Sequence, residues 1–121
     1  MLKQLQEVSQ LQANWADPGS VAPNPNCLEL ARQLIEPFSI YTTPAICGEP
    51  ESGVISFQWP KHGIFLYVEL NLTLAYYEYS GADIIPNIII FCFPEEFPNL
   101  LNLLDKKLPN SFESWEKEKL T

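Results

Sequence analysis

The sequence predicts an α+β fold: an antiparallel three- to four-stranded sheet packed by two N-terminal helices and a C-terminal helix. Apolar residues recur at helical spacing near both ends of the chain and at every second position in its middle. The order is helices, strands, helix, and not the alternation of strand and helix that builds a parallel sheet. The chain has 121 residues, 46% of them hydrophobic, so we expect residues 1–121 to form a single α+β domain.

Two helices are predicted before the sheet. The first lies within residues 2–13, where every third residue is apolar: Leu2, Leu5, Val8 and Leu11. Residues 14–26 are rich in Pro, Gly and Asn and are predicted to be a loop. The second helix has Asn24 as its N-cap and Pro25 at its first position, and Pro37 marks its end. Its apolar face consists of Cys27, Leu28, Ala31, Leu34, Ile35 and Phe38.

Strict alternation predicts two strands, Gly53 to Trp59 and Ile64 to Leu70, joined by a turn at residues 60–63. In the second strand, one face carries Ile64, Leu66, Val68 and Leu70, and the other carries Phe65, Tyr67 and Glu69. A third strand is predicted from about Thr73 to Tyr79, with Asn71 as the candidate for the turn before it. It carries Tyr76, Tyr77 and Tyr79, so either parity adds tyrosine to the face of Phe65.

The C-terminal part is predicted as a strand followed by a helix. Asn87 to Phe93 is nearly all apolar, which indicates a strand buried on both faces or a central strand. Pro94 and Pro98 bracket a turn, and a leucine-rich helix ends at Lys106 and Lys107, two cations that suit a helix C-terminus. The tail from residue 110 has one apolar anchor, Trp115.

The net charge and the cysteine content restrict the expected partner and cellular compartment. Asp and Glu number 15 against 7 Lys and Arg, giving a net charge of -8, so no direct nucleic-acid contact is expected. A protein partner with a basic surface fits better, although solubility alone explains excess carboxylate equally well. Three widely spaced cysteines, and no apolar run of signal-peptide or membrane-spanning length, predict a cytoplasmic protein with buried thiols and no membrane contact.

No catalytic constellation is visible in the sequence. The single histidine, His62, lies in a predicted turn, and the carboxylate pairs Glu49 with Glu51 and Glu95 with Glu96 lie in loops. The cysteines and the histidine lack the close spacing of zinc ligands. We therefore expect no enzyme, no cofactor and no metal. The alternative is a small hydrolase or metalloenzyme that uses Glu49, Glu51 and His62.

The aromatic residues are the better candidates for a binding surface. A sheet face with Phe65, Tyr67, Glu69, Tyr77 and Tyr79 has the composition of a protein interface. The alternative is that the C-terminal helix or Trp115 covers this face as a second layer of core. In the loop before the second helix, Trp15 and Asp17 either anchor the loop or are presented to a partner.

Two stretches carry a resemblance that covers roughly residues 2–79. One contains Trp15, Asp17, Gly19, Pro23 and Asn24; the other contains Gly53, Val54, Phe57, Gln58 and Trp59. They resemble a family of small bacterial proteins with a Trp-Asp-Gly-x-Gly-Ala loop and a Gly-Gly-Ile-x-Leu-Glu-Trp strand. Ala16 and Pro18 break the spacing of the loop, and Gln58 replaces the acid of the strand. The resemblance implies a fold outline, without an activity.

The sequence therefore favours a small acidic, non-enzymatic protein-binding module of the antitoxin, immunity or adaptor kind, which occludes or stabilises a partner protein. A second hypothesis is an acidic, anti-CRISPR-like inhibitor that mimics nucleic-acid charge against a nuclease complex; it requires a line of carboxylates at phosphate spacing. A homo-oligomer that closes on its own sheet edge is also open.

Overall fold

Three helices and a five-stranded antiparallel sheet make up the computed structural model, which describes residues 1–81 and 84–110. The helices are α1 (Leu2–Ser9), α2 (Pro25–Phe38) and α3 (Phe97–Lys107). The strands are β1 (Ala45–Gly48), β2 (Ile55–Trp59), β3 (Ile64–Glu69), β4 (Thr73–Glu78) and β5 (Asn87–Cys92), and they neighbour one another in chain order. The α+β class is confirmed, while the expectation of three to four strands is corrected to five in this part of the chain.

Helix α2 begins as its sequence predicts. The Asn24 side chain accepts hydrogen bonds from the backbone N–H groups of Asn26 (2.8 Å) and Cys27 (3.4 Å), and Pro25 occupies the first turn. The helix continues one residue past Pro37, because Phe38 is fully buried and its ring lies 5.2 Å from that of Phe57. Tertiary packing therefore extends the last turn beyond the proline.

One face of the sheet and the apolar stripes of all three helices form a shared core. Its centre is made by alternate strand residues, all of them almost fully buried: Ile55, Phe57, Trp59, Ile64, Leu66 and Val68. The Trp59 indole N–H donates to the Thr42 carbonyl at 2.8 Å, so its polar atom is satisfied inside the core. The alternation read from the sequence for β2 and β3 is confirmed.

Strand β3 is shorter than predicted. It ends at Glu69, and Leu70, which was expected on the core face, is 49% exposed. The reason is the turn that follows, in which Asn71 (φ 60°) and Leu72 (φ 55°) both have left-handed backbones. Asn71 was the predicted turn residue, and asparagine tolerates this conformation better than most residues.

Strand β1 was not predicted from the sequence. It pairs with β2 and lies beside α1, whose Gln4 side chain contacts its outer edge. Gln4 Oε1 accepts from the Ile46 N–H at 2.9 Å, and Gln4 Nε2 donates to the Pro44 carbonyl at 3.3 Å. A side chain of α1 thus occupies two of the hydrogen-bonding groups at this edge of the sheet.

Strand β5 departs most from expectation. It was predicted to be central or buried on both faces, but it is the opposite edge strand of the described sheet. Phe91 is buried, whereas Ile88, Ile89 and Ile90 are 51%, 43% and 52% exposed. The prediction was wrong because an unbroken apolar run has no period that distinguishes a covered strand from an uncovered one.

Helix α3 lies on the same side of the sheet as α2. Leu100 and Leu104 are fully buried in the shared core, and Pro98 lies in the first turn of the helix and not in the preceding loop. The Tyr41 hydroxyl donates to Asp105 Oδ1 at 2.6 Å and lies 3.2 Å from the Leu101 carbonyl oxygen. Burial, and then the bond to Asp105, raise the pKa of Tyr41, which keeps this hydroxyl a donor.

The predicted anchor Trp115 lies outside the described residues. No helix within residues 1–81 and 84–110 is both long enough and apolar enough to cross a membrane.

Candidate protein-binding surface

The sheet side turned away from the helices, here called the outer face, carries the predicted aromatic residues. Antiparallel pairing places Phe65 opposite Tyr77 and Tyr67 opposite Ala75. Tyr76 points the other way and is buried in the core, so the parity left open by the sequence is settled in favour of Tyr77. Phe65, Tyr67, Glu69 and Tyr77 are all partly exposed on this face.

The aromatic rings of the outer face form two edge-to-face pairs. The ring centroids of Tyr67 and Tyr77 lie 5.1 Å apart, and those of Phe65 and Tyr79 lie 5.7 Å apart. Tyr79 is fixed by its backbone N–H, which donates to the Gly63 carbonyl at 2.8 Å. Gly63 has φ 67°, and a Cβ there would lie 2.4 Å from the Tyr79 carbonyl oxygen, so this close approach requires glycine.

Strand β5 extends the outer face with aliphatic side chains. Ile88 lies opposite Tyr77 and Ile90 lies opposite Ala75, so both continue the rows that hold the aromatic residues. Sequence analysis missed them because it placed this strand inside the protein. The signal in the sequence was the unbroken run of isoleucines, because on an edge strand such a run leaves apolar side chains exposed on both faces of the sheet.

An acidic hollow of about 530 Å³ borders the tyrosines. The loop after β1 supplies Glu49 and Glu51, β3 supplies Glu69, and the Tyr67 and Tyr77 rings form the sheet side. Burial raises the pKa of Tyr67, and the Glu49 charge adds to the increase. The hollow therefore combines neutral phenol rings with carboxylates and favours a positively charged occupant.

Glu49 is held in the hollow by a short chain of hydrogen bonds. The Ser56 hydroxyl donates to Glu49 Oε1 at 2.9 Å, and the Gln58 amide donates to the Ser56 oxygen at 2.9 Å. Ser56 is fully buried, so its hydroxyl is satisfied by these two neighbours. Gln58 thus supports Glu49 indirectly, by donating a hydrogen bond to Ser56, which an ionised carboxylate is unable to do.

Trp15 and Asp17 lie in a separate loop and do not extend the sheet rows. The Trp15 indole donates to the Val21 carbonyl at 3.0 Å, and Val21 in turn donates its N–H to the Pro50 carbonyl at 2.7 Å. The bonds of Asp17 use its backbone: its N–H donates to the Ser20 hydroxyl, and its carbonyl accepts from Ser20. The Asn14 side chain caps this loop by accepting from the Gly19 N–H at 2.7 Å.

The residues of the hydrolase or metalloenzyme alternative do not meet. His62 lies in the 3₁₀ turn Pro60–His62 after β2, whereas Glu49 and Glu51 lie in the loop before β2, at the other end of that strand. Within the described ranges, no three His, Cys, Asp or Glu side chains form a group suited to a metal ion.

The cysteines differ from one another in exposure. Cys27 is buried, Cys47 is partly buried and Cys92 is exposed, so the expected burial is wrong for Cys92. A hydrogen bond to Glu96 is the main cause that raises the pKa of the Cys92 thiol, which lowers its thiolate fraction.

No family model matches the chain, and no curated protein or solved structure is similar to it at a significant level.

Proposed function

We propose that the protein is a non-enzymatic protein-binding module that engages a partner through the outer face of its sheet. One observation carries the proposal: all three described helices pack on the opposite side, while aromatic and isoleucine side chains on the outer face stay partly or half exposed. Surfaces rich in tyrosine and phenylalanine and poor in lysine are typical of protein interfaces. An antitoxin, immunity or adaptor role uses such a face to occlude or stabilise its partner.

The acidic hollow defines the chemistry of the contact. Glu49, Glu51 and Glu69 offer carboxylate acceptors to an arginine or lysine of the partner, and the tyrosine rings offer the face of a π-system to the same cation. Ile88 and Ile90, beside Tyr77, supply apolar contact next to the hollow. The partner that fits this surface inserts one arginine or lysine side chain into the acidic hollow and places apolar side chains against Ile88 and Ile90.

The described carboxylates do not favour a mimic of nucleic-acid charge. Glu49 and Glu51 border the outer face, whereas Glu36 lies on α2 on the opposite side. Glu69 lines both the hollow and a second pocket that includes Glu29 of α2. A mimic needs its carboxylates in one line on one face. Within the described residues the acidic side chains are divided between the two sides, which supports a localised hollow for one cation.

The proposal is tested by capture from the native host with a tagged chain and two charge-matched double variants. The hollow variant, Glu51→Gln with Glu69→Gln, removes two negative charges from the acidic hollow. The helix variant, Glu7→Gln with Glu36→Gln, removes two negative charges from exposed sites on α1 and α2. We expect the parent chain and the helix variant to retain one partner protein, and the hollow variant to lose most of it. Equal capture by both variants would contradict the proposed surface.

Once the partner is known, its binding is followed by calorimetry at rising salt. The parent affinity falls with salt because the charges attract, and the hollow variant has a shallower dependence. A partner whose affinity rises with salt or does not respond to it would count against a basic contact.

A further inference from the structure

The two edges of the described sheet differ in how their backbone groups are satisfied. At the β1 edge, the Gln4 side chain bonds to the Ile46 N–H and the Pro44 carbonyl. At the β5 edge, no side chain of the three described helices does the same for the central residues Ile88 and Ile90. Edge strands in soluble proteins are ordinarily interrupted by charge, proline or a bulge, whereas Asn87–Cys92 contains none of these.

Hydrogen bonds to β4 identify which groups of β5 face outward. The Phe93 N–H bonds to the Leu72 carbonyl on the β4 side at 2.8 Å. Because alternate residues of an antiparallel strand bond to the same neighbour, Ile88, Ile90 and Cys92 direct their N–H and C=O groups away from β4.

The outward backbone groups of Cys92 already form hydrogen bonds within the same chain. Its N–H donates to Glu96 Oε1 at 2.9 Å, and its carbonyl accepts from the Glu96 N–H at 2.8 Å. In the part of the chain that the structure describes, the outward groups of Ile88 and Ile90 have no such bonds. Two residues, with two donors and two acceptors, are therefore left at the open edge.

We propose that this edge pairs with β5 of a second copy of the chain, in an antiparallel register centred on Ile89. In that register Ile88 of one copy faces Ile90 of the other, and the reverse, so four hydrogen bonds satisfy all eight open groups. A register shifted by two residues in one direction would pair Ile90 with Pro86, which has no N–H. A register shifted by two residues in the other direction would pair Ile88 with Cys92, whose backbone groups already bond to Glu96. The edge thus selects one two-fold register.

In this arrangement the isoleucine side chains of β5 in one copy contact those of β5 in the other copy. Ile88 and Ile90 of the two copies meet on the outer face, and the two Ile89 side chains meet on the helix side. Each of the three is about half exposed in one copy, and Ile84 and Ile85 just before the strand are almost fully exposed. Apolar surface is therefore exposed on both sides of this edge, as is typical of an interaction site.

Charge at the two ends of α3 favours a second copy as the occupant. Lys107 Nζ lies 3.1 Å from Glu78, which is opposite Asn87, while Phe97 follows the turn after Cys92, so α3 runs antiparallel to β5. A two-fold axis through Ile89 therefore brings the end of α3 that carries Lys106 and Lys107 in each copy toward the end that carries Glu95 and Glu96 in the other. This local complementarity offsets part of the repulsion between two chains of net charge -8.

The pairing gives a ten-stranded sheet with both outer faces on the same side. It shares Ile88 and Ile90 with the partner contact proposed above. Its dyad contact, Ile89 with Ile89, is on the helix side, however, and the acidic hollow is lined by no residue of β5. The two proposals are consequently separable by mutation.

The test is analytical ultracentrifugation of the full chain from about 1 µM to about 1 mM. Ile89→Lys places two lysines at the dyad, and Ile90→Pro removes one outward N–H without removing a bond to β4. Ile40→Lys, at a 55% exposed site just after α2, is the matched control. We expect a dimer for the parent chain and for Ile40→Lys, and a dissociation constant raised at least about 10-fold for both β5 variants.

Circular dichroism establishes that each variant is folded. A parent chain that stays monomeric over the whole range overturns the pairing, and so does a dimer that both folded β5 variants leave unchanged. Partner capture is tested separately, with the hollow variants, because Glu51 and Glu69 are not residues of β5.

The register is tested by a symmetric disulfide. In a chain carrying Cys92→Ser, Ile89→Cys brings two thiols together at a non-hydrogen-bonded pair, where the Cα separation of about 4.5 Å suits a disulfide. With oxidised glutathione as the oxidant, we expect this chain to crosslink, and the same chain with Ile40→Cys in place of Ile89→Cys to remain uncrosslinked. Equal crosslinking of the two would overturn the register.

Discussion

Glu96 closes the end of strand β5 by bonding twice to Cys92: its carboxylate accepts the Cys92 N–H, and its own N–H donates to the Cys92 carbonyl. The same strand leaves Ile88 and Ile90 open, and the opposite edge is occupied by Gln4. Side chains therefore bond to outward backbone groups along the β1 edge, whereas along the β5 edge of the described sheet such bonds are made only at its end, by Cys92. Ile88 and Ile90 adjoin the aromatic residues of the outer face, so the two proposed interaction surfaces are contiguous.

Opening the protected edge is expected to change the kind of assembly. Gln4→Ala removes the bonds to Ile46 and Pro44, leaves their backbone groups unpaired, and lowers the free energy of unfolding by about 1 kcal/mol. With two open edges, the chain is able to add copies at both sides, which gives open-ended association. Light scattering during incubation measures this growth. Gln6→Ala, at an exposed site of the same helix, is the control, and equal growth of the two variants would show that Gln4 does not protect the edge.

Removal of the tyrosine pair is expected to weaken partner binding without unfolding the protein. Tyr67 and Tyr77 contact each other edge to face and are only partly buried, so replacing both with alanine removes interface area more than core. We expect at least a 10-fold rise in the dissociation constant of the captured partner, as for aromatic hot spots. Asp17→Asn, in the separate loop, is expected to leave the affinity unchanged. An affinity lost with Asp17→Asn and kept without the tyrosines would move the site to that loop.

Glu78 is expected to give stability that depends on pH. The Tyr76 hydroxyl donates to its carboxylate and Lys107 pairs with it, and these contacts lower the pKa of Glu78. A carboxyl with a lowered pKa stabilises the fold above its ordinary pKa of about 4.3, and this contribution disappears as pH falls through the lowered value. Glu78→Gln should cost about 1–2 kcal/mol at pH 7, and the difference from the parent should shrink as the pH falls below the ordinary carboxyl pKa.

Urea unfolding at several pH values measures this difference. Glu36→Gln, an exposed change on α2, should show little difference at any pH. A Glu78→Gln difference that stays constant from neutral to acid pH would contradict the role assigned to the carboxylate.

The hydroxyl of Tyr41 is expected to fix α3 against the core. Tyr41→Phe keeps the ring and removes the donor to Asp105, so we expect a loss of about 1–2 kcal/mol in unfolding free energy. Native-state hydrogen exchange should then be faster in residues 97–107 than elsewhere in the protein. Uniform acceleration over the whole chain would argue against a local anchor.

Local chemistry made part of the fold predictable. The Asn24 cap, the β2–β3 alternation and the turn at Asn71 each depend on neighbouring residues, and each is confirmed. Strand β1 was missed because Ala45–Gly48 has only four residues and no alternation; it is held by β2 and by Gln4, which is distant in sequence. The position of β5 was wrong for the same kind of reason, since strand order is a tertiary property that a hydrophobic run does not encode.

The candidate surface was predictable only in part. The alternation of β3 placed Phe65 and Tyr67 on one face, but the adjacent Tyr76 and Tyr77 left the parity of β4 open until the strand register settled it. The contributions of Glu49 and Ile88 come from other elements. Sequence periodicity describes one strand at a time, whereas a hollow between a loop and two strands requires their pairing.

The most direct test of the proposed surface is NMR chemical-shift mapping of the isotope-labelled chain during titration with its captured partner. The account predicts changes concentrated at Phe65, Tyr67, Tyr77 and the loop of Glu49 and Glu51, with α1 and α2 nearly unchanged. Changes concentrated on α1 and α2, with the outer face unaltered at saturation, would contradict it.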